Sequence, residues 1–426
     1  MGLHRHVGRQ GDVMRVALVR KSYCHHGGAE RYVSSLLRRL VEHGVEVHIF
    51  ANKWDVDPGM SDSVTLHRVP IIPGLSVLKV LSFAFFSMCM TRWGRFDIIH
   101  SFDKTLLQDI YRAGDGCHRE WLRLRRQTVS IWKRLSIRCN PLHISLLAIE
   151  RSLFRRGGYK KIIAASEMGK REIMFHYGVP EPDIEVIQNG VDPEVHGDEN
   201  REERRRRLRE KHGIPQDEKL LLFVGSGFER KGLATVIGAI HHLKQRKSRV
   251  RLAILGKGRT GRFRRMARES RIEELVYFLG VKEDVSDYYA ASDIFALPSL
   301  YEPFGNAYLE AMASGVPVIV SAKSGASELI KDGENGLLLE DPLDALSLSR
   351  KIEQLMDPST AARIGEAGRT RAIDLSWERN VEMTLKVYHD VLSDRAEAPS
   401  WVMSENRLST DRGIPKRGSQ KTPVAQ

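Results

Sequence analysis

The sequence predicts an α/β protein with two Rossmann-like, doubly wound domains. Short apolar runs alternate with amphipathic helical patterns between Arg15 and Leu339, as they do in chains built from βα repeats. These runs are apolar almost throughout rather than at every second residue, which is typical of parallel strands covered by helices on both faces. At 426 residues and 42% apolar content, the chain is long enough for two or three domains with sizeable cores.

The apolar runs form two sets, separated by the turn-rich stretch Asn189-Gly190-Val191-Asp192-Pro193. The strands predicted before it are Arg15–Val19, Glu46–Ala51, Val64–Arg68, Asp97–His100, Gln108–Tyr111 and Lys161–Ala164. Those predicted after it are Leu220–Val224, Arg251–Leu255, Val276–Leu279, Asp293–Leu297, Val318–Ser321 and Gly336–Leu339. Two such sheets place their ligand-facing loops on either side of a cleft.

The same break sets the predicted domain boundaries. We expect an N-terminal domain over residues 14–188 and a C-terminal domain over residues 189–376. The amphipathic stretch Trp377–Leu392 predicts a helix, over residues 377–394, that packs back on the assembly. Residues 395–426 are rich in Ser, Pro, Gly and charge, so we expect a disordered tail.

The net charge of +13 is concentrated in the segment Arg119–Lys161, which we call the basic segment. It holds twelve basic residues against two acidic ones, with Trp121 and Trp132 interleaved. Such a segment suits an anionic surface of phospholipid, phosphorylated glycolipid or nucleic acid, and a solvated helical face is the plainer alternative. Nucleic acid is disfavoured because no zinc-finger or RNP-type aromatic motif accompanies the charge.

The most apolar stretch, Ile71–Met90, is too short and too interrupted for a transmembrane helix, since Pro73, Gly74 and Lys79 break it. We predict a buried helix there. A membrane-facing surface is the alternative, because Ser87, Cys89 and Arg92 lie near the end of this stretch. No secretory signal precedes Met14, so residues 1–13 are expected to be a disordered extension or to lie upstream of the native start.

The cysteines form no C-x-x-C pair, which disfavours a zinc site or a disulfide framework and favours a reduced cytoplasm. These cysteines are Cys24, Cys89, Cys117 and Cys139.

Two acidic residues, Glu302 and Glu310, stand across a turn that follows the predicted strand Asp293–Leu297 and begins a helix at Gly305. The free N–H groups and dipole of a helix N-terminus can seat a diphosphate. Carboxylates beside that anion would hold neutral hydroxyls of a sugar or ribose. Solvated acids at a helix start are the alternative.

A small-residue loop with two cations follows the predicted strand Leu220–Val224. Gly225-Ser226-Gly227 allows a tight bend, and Arg230 and Lys231 come just before the next helix. Adjacent guanidinium and ammonium groups suit a diphosphate leaving group, whose growing charge they would stabilise. A basic helix start is otherwise unfavourable against the dipole, which favours the functional interpretation.

Two further loops are candidates for the cleft. Gly27 and Gly28 follow the first strand and would let a backbone approach a ligand closely, although the pattern is neither a dinucleotide fingerprint nor a P-loop. His25 and His26 lack a third ligand of suitable spacing, so we interpret them as loop histidines. Asp115 lies between two glycines after the strand Gln108–Tyr111, where it either points into the cleft or simply forms a turn.

Together these motifs resemble the retaining glycosyltransferases of the GT-B fold, from about Met14 to Leu392. Within them the chain is most similar to the lipopolysaccharide core glucosyltransferases that act on the first inner-core heptose. The resemblance implies a nucleotide sugar, commonly UDP-glucose, on the C-terminal domain and an acceptor on the N-terminal one. It also implies that no cofactor and no metal is needed, because Arg and Lys supply the positive charge.

The resemblance assigns roles residue by residue. Glu310 would bind ribose hydroxyls, Glu302 the donor sugar, and Asp115 would lie near the reacting carbon. Backbone groups of Phe304, Gly305 and Asn306 would contact the diphosphate or sugar, Arg230 and Lys231 would clamp the diphosphate, and Gly27 and Gly28 would close over it. The chain departs from these relatives at Val195, where they have Arg, and in the Pro-Phe-Gly-Asn that follows Glu302.

The sequence therefore predicts a cytoplasmic hexosyltransferase, peripheral to the inner face of the cytoplasmic membrane, that extends a lipid-linked glycan. Its expected partners are a nucleotide-sugar donor, the lipid-linked acceptor and an anionic membrane surface, without nucleic acid. Another UDP-sugar-dependent transferase of cell-surface polysaccharide synthesis, or a non-catalytic GT-B scaffold on anionic lipid, remains open. A nicotinamide-dependent oxidoreductase is disfavoured by the missing glycine fingerprint.

Overall fold

The computed structural model describes residues 13–23, 28–54, 63–127, 129–192, 200–282 and 284–397. Its first half contains a seven-stranded, all-parallel sheet in the order β5-β3-β1-β6-β7-β8-β9. Its strands are β1 Arg15–Val19, β3 Glu46–Ala51, β5 Val64–Arg68, β6 Ile98–Ser101, β7 Ile110–Ala113, β8 Lys161–Ala164 and β9 Ile184–Val186. A short ribbon, β2 Ser22–Tyr23 and β4 Lys53–Trp54, lies beside it.

The second half contains a six-stranded parallel sheet in the order β12-β11-β10-β13-β14-β15. Its strands are β10 Lys219–Val224, β11 Val250–Leu255, β12 Val276–Gly280, β13 Ile294–Leu297, β14 Val318–Ser321 and β15 Leu337–Leu339. The central strands are buried on both faces, as their continuous apolar sequences require. In both sheets the strand order reverses direction once, between β1 and β6 and between β10 and β13.

Helices connect the strands and cover both sheets. They are α1 Gly28–Glu42, α2 Ser76–Trp93, α3 His118–Gln127, α4 Ile131–Arg138, α5 Pro141–Leu153, α6 Glu167–Tyr177, α7 Arg201–His212, α8 Leu233–Gln245, α9 Gly261–Glu269, α10 Ser286–Ala291, α11 Asn306–Ala313, α12 Ala345–Gln354, α13 Pro358–Ile373 and α14 Trp377–Glu397. Side-chain caps begin several of them: Asn140 accepts from the backbone N–H of Leu142, and Ser166 accepts from that of Gly169.

These observations confirm the predicted fold class of two Rossmann-like parallel sheets. Each strand predicted from the sequence is present, with β7 displaced by two residues towards its carboxyl end relative to the predicted Gln108–Tyr111. The short strand β9 was not predicted, because only Ile184 of its three residues is fully buried and the local apolar pattern is weak.

The prediction of a helix at Ile71–Met90 is correct, but the prediction that this helix is buried is wrong. A helix does form, as α2, but Leu78, Leu81 and Phe85 are each exposed to 40% or more. Apolar residues occur all round α2, and the sheet and its neighbouring helices cover only one side of it. Among the described residues, no helix is long and apolar enough to cross a membrane.

The chain passes between the two halves twice, and the two crossings are hydrogen bonded to each other. The backbone N–H of Val191 donates to the carbonyl of Leu375 at 2.9 Å. Beyond the second crossing, α14 returns to the first domain, where Trp377 and Tyr388 join the core around β1 and α1. Residues 1–12 and 398–426, for which an extension and a tail were predicted, lie outside the described residues.

Candidate active site

Loops at the carboxyl ends of strands from both sheets meet around one cavity. In open parallel sheets a ligand crevice forms where the strand order reverses, which is after β1 and β6 in one sheet and after β10 and β13 in the other. The loop after β7 and the start of α3 add to these loops. The cavity has a volume of about 370 Å³, which is sufficient for a small ligand. Its lining includes Lys21, Asp103, Lys104, Asp115, His118, Trp121, Arg230, Tyr301, Glu302 and Pro303.

At the C-terminal side of the cavity, two cations converge on one carboxylate. Arg230 Nη1 donates to Glu302 Oε2 at 3.2 Å and to the backbone carbonyl of Tyr301 at 2.9 Å, and Lys231 Nζ donates to the same Oε2. Lys231 and Glu302 are each only 8% exposed. The structure therefore brings together the two motifs that the sequence places about seventy residues apart.

The electrostatics of this cluster keep Glu302 ionised. Burial acts to raise the pKa of Glu302, but the charges of Lys231 and Arg230 outweigh it, so the pKa lies below its usual range. For Lys231, burial and the neighbouring Arg230 lower the pKa despite the attraction of Glu302. One carboxylate thus balances two cations, and the cluster keeps a surplus of positive charge for an anionic ligand.

Glycine backbones make this arrangement possible. Gly232 has φ +78°, and a Cβ there would lie 1.9 Å from the carbonyl oxygen of Pro298. Gly305 has φ +97°, and a Cβ there would lie 2.7 Å from the ring of Tyr308. Because only glycine tolerates such positions, the loops carrying Lys231 and Glu302 approach their neighbours closely.

Glu310 lies in the second turn of α11 and is only 8% exposed. Its Oε2 accepts a 2.9 Å hydrogen bond from Tyr289 Oη. The helix begins at Asn306, whose side-chain oxygen accepts from Asn189 at the first domain crossing. Phe304 is buried, and its carbonyl accepts from Ser324 Oγ at 3.0 Å.

The loop that carries Glu302 also contacts the N-terminal domain. Tyr301 Oη accepts from the backbone N–H of Cys117 at 3.1 Å and donates to Glu172 Oε2 at 2.6 Å. Ser166 Oγ, at the start of α6, donates to the carbonyl of Pro303 at 2.7 Å. Burial raises the pKa of Glu172 to about 7, although the hydrogen bond from Tyr301 lowers it. The loop that carries Glu302 is therefore fixed to both domains.

A second contact between the domains lies beside the first. Glu328 lies in a 3₁₀ helix, Gly325–Leu329, of the C-terminal domain. Its carboxylate accepts from the backbone N–H groups of Glu167 (2.9 Å) and Met168 (2.5 Å), in the first turn of α6. A carboxylate at a helix N-terminus satisfies free donors and the dipole together, so this contact ties α6 to the C-terminal domain.

On the N-terminal side, Asp115 lies on the exposed turn after β7 and lines the cavity together with Arg230 and Glu302. Lys104 lines the same wall, with its Nζ 3.6 Å from the fully buried carboxylate of Glu150. Glu150 also accepts from the backbone N–H of His118 at 2.8 Å, which fixes the first turn of α3 next to Asp115.

Sequence reasoning missed Lys21, Asp103, Lys104 and Tyr301. Lys21 follows β1, and Asp103 and Lys104 follow β6, so a search of every strand's carboxyl end would have found them. Tyr301 carried no local signal, because its partners lie in the other domain. Of the predicted glycines, Gly28 is the first residue of α1, whereas Gly27, both loop histidines and Val195 lie outside the described residues.

The basic segment forms α3, α4 and α5, and it presents two kinds of side chain. Some of its cations have partners within the protein: Arg123 pairs with Glu120 at 2.6 Å, and Arg119 Nη1 donates to the carbonyl of His176. Trp121 faces the cavity, but Trp132 is 80% exposed. The segment therefore contributes to the cavity with one end and to the surface with the other.

Each half of the chain matches one family of glycosyltransferases. Residues 26–195 match the family described as "Glycosyltransferase Family 4", and residues 204–371 match "Glycosyl transferases group 1". The chain is 24% identical over 347 residues to "Lipopolysaccharide glucosyltransferase WaaG" of Escherichia coli (strain K12), covering 81% of this chain and 90% of that protein. It is 28% identical over 409 residues to a "D-inositol 3-phosphate glycosyltransferase" of Stackebrandtia nassauensis, covering 88% and 89%.

Solved structures share the architecture. WaaG, described as a glycosyltransferase involved in lipopolysaccharide biosynthesis, superposes with a TM-score of 0.77 at 23% identity, over 88% of this chain and 99% of that one. Anabaena HepE, solved in complex with UDP-glucose, gives a TM-score of 0.68 at 17% identity, over 88% and 100%. With its two parallel sheets, its inter-domain cavity and both family matches, the chain belongs to the glycosyltransferases of the GT-B fold.

Proposed function

We propose that this glycosyltransferase is a retaining hexosyltransferase that moves glucose from UDP-glucose to a lipid-linked glycan, the lipopolysaccharide core. The observation that carries the proposal is the convergence of Arg230 and Lys231 on Glu302 at the wall of the inter-domain cavity. A diphosphate would take over both cations as its partners. Glu302 would then be released to accept hydrogen bonds from the sugar hydroxyls.

The cations act most strongly on the transition state. As the bond between the anomeric carbon and the phosphate oxygen breaks, negative charge grows on the leaving UDP, where Arg230 and Lys231 stabilise it without a metal or another cofactor. The acceptor oxygen attacks from the same face, and its proton passes to the leaving phosphate oxygen. The new bond therefore keeps the configuration of the anomeric carbon.

The remaining donor and acceptor contacts are those that the family resemblance implies, and the positions of these residues support them. Glu310, held by Tyr289, accepts from the ribose hydroxyls, and the first turn of α11 presents the N–H groups of Gly305 and Asn306 to the diphosphate or sugar. Asp115 faces the same cavity from the acceptor side. The proposal that the sugar is glucose and the acceptor is lipopolysaccharide is supported by the similarity to WaaG, which is named a lipopolysaccharide glucosyltransferase. The proposal that the donor is UDP-glucose is supported by the similarity to HepE, which was solved in complex with UDP-glucose.

The enzyme works at the inner face of the cytoplasmic membrane, where the basic segment attracts it to anionic lipid. Exposed cations on α4, including Lys133, Arg134 and Arg138, supply long-range attraction that salt screens. Sedimentation with vesicles of phosphatidylcholine alone or with phosphatidylglycerol tests this part. We expect binding to the anionic vesicles to fall as salt rises, and equal binding to both vesicle types would contradict it.

A panel of nucleotide sugars tests the donor assignment. A ligand present at a hundred times its dissociation constant stabilises the protein by about 2.7 kcal/mol, so UDP-glucose should raise the melting temperature while GDP- and ADP-sugars should not. Transfer to purified lipopolysaccharide core, followed by NMR of the product's anomeric proton, then tests retention. An inverted product, or transfer that survives Arg230→Ala and Glu302→Ala unchanged, would refute the mechanism.

A further inference from the structure

Helix α2 carries an exposed apolar stripe. Leu78, Leu81 and Phe85 are 40%, 42% and 50% exposed, and Leu75, just before the helix, is 69% exposed. The steps of three and four residues place these side chains on one face of the helix. Large apolar side chains scattered singly over a surface are ordinary, whereas a stripe along one helix marks an interaction surface.

The opposite face of α2 belongs to the candidate active site. Val80 and Phe83 line the cavity, and Ala84, Ser87 and Thr91 are buried against the domain. At about 100° per residue, these side chains point away from the exposed stripe. Helix α2 therefore forms a wall, about 10 Å thick, between the cavity and whatever covers the stripe.

Neighbouring helices extend the apolar surface. Helix α5 contacts both α2 and α4, so the three are adjacent. On α4, Ile131, Trp132 and Leu135 are 73%, 80% and 55% exposed, and Ile144 of α5 is 54% exposed. Only Ile137 of α4 is buried, so this short helix presents most of its apolar side chains to the surroundings.

The charges on these helices distinguish between possible occupants of the stripe. Helix α2 contains no acidic residue and two basic ones, Lys79 and Arg92, and α4 contains no acidic residue and the cations Lys133, Arg134 and Arg138. A second copy of the chain packed on the same face would bring like charges together. An anionic bilayer offers negative headgroups to the cations and acyl chains to the stripe.

We infer that the α2 stripe, together with the exposed apolar residues of α4, inserts into the interfacial region of an anionic bilayer. This inference rests on the lipid-linked acceptor of the proposed function and adds an apolar anchor to the electrostatic attraction. With α2 lying in the interface, the cavity sits one helix diameter above the lipid. The sugar of a membrane-anchored acceptor can then reach the cavity while its lipid stays in the bilayer.

Paired serine substitutions test the insertion. Leu78→Ser/Leu81→Ser removes two exposed leucines from the stripe, and Leu343→Ser/Leu346→Ser removes two exposed leucines of the same spacing in the C-terminal domain. For vesicles of phosphatidylcholine with phosphatidylglycerol, we expect the α2 variant to bind at least about tenfold more weakly, since each leucine loses its apolar burial. The control variant should bind like the wild type, and equal binding by all three proteins would overturn the inference.

Fluorescence measures the depth of insertion directly. Phe85→Trp should gain emission that lipids brominated on their acyl chains quench, whereas Leu343→Trp should add emission that they do not quench. Equal quenching of the two added signals would overturn the inference. So would sedimentation of lipid-free protein as a dimer that Leu78→Ser/Leu81→Ser converts to a monomer, because the stripe would then be a contact between copies.

Melting of the α2 variant with and without UDP-glucose separates this inference from the proposed function. The donor should stabilise the variant as it does the wild type, because the substituted leucines face away from the cavity. If no sugar nucleotide stabilises either protein while bromolipid quenching is still seen, the proposed function fails and the inserted stripe stands.

Discussion

Replacing Glu302 by Gln should leave two cations facing each other across a buried site. In the folded protein, Glu302 Oε2 accepts from Lys231 Nζ and, at 3.2 Å, from Arg230 Nη1, and both Glu302 and Lys231 are 8% exposed. The amide keeps the shape of the carboxylate but removes its charge. Lys231 is then a buried ammonium with a cationic neighbour, which is the costly outcome of breaking a buried pair.

The expected cost can be given a magnitude. Removing one partner of a buried ion pair typically destabilises a protein by about 3 to 5 kcal/mol. For a domain of this size, we expect the melting temperature to fall by roughly 10 °C. Lys231→Met alone should cost a similar amount, since it leaves Glu302 buried with only the partly exposed Arg230 beside it.

A double-mutant cycle separates the ion pair from mere loss of packing. Glu302→Gln/Lys231→Met removes both charges, so the double variant should be no less stable than either single variant. Chemical denaturation monitored by circular dichroism supplies the free energies of unfolding. If the two single costs add in the double variant, or if Glu302→Gln melts like the wild type, the buried ion pair does not stabilise the protein.

Three further predictions concern other parts of the molecule. Burial raises the pKa of Glu172 to about 7 from the ordinary 4.5, so ionisation of this carboxyl opposes folding. The free energy of unfolding should therefore fall by roughly 3 kcal/mol as the pH rises from about 4.5 to 7. Chemical denaturation at a series of pH values measures this loss, and Glu172→Gln should make the stability less dependent on pH. Gly305→Ala, at φ +97° with Tyr308 in contact, should cost about 1 to 3 kcal/mol and weaken UDP-glucose binding, as calorimetry would show. Tyr388→Phe removes the 2.7 Å contact with His100 that anchors α14 and should cost about 1 kcal/mol in thermal unfolding; an unchanged melting temperature would contradict this.

Local sequence patterns were sufficient for the elements of the fold. Continuous apolar runs such as Leu220–Val224 specify strands that are covered on both faces, and the two sets of runs specify two sheets. The positions of Glu302, Glu310, Arg230 and Lys231 at strand ends were also readable, because strand ends and helix starts have local signals.

The sequence by itself did not determine which side chains would meet or which would face outwards. The pairing of Lys231 with Glu302, the fixing of Tyr301 between Cys117 and Glu172, and the exposed face of α2 all appear only in the folded structure. Local periodicity is set by neighbours a few residues apart, whereas these contacts join residues far apart in the chain. Packing of the two domains decided them, because burial of a side chain depends on what the rest of the chain places over it.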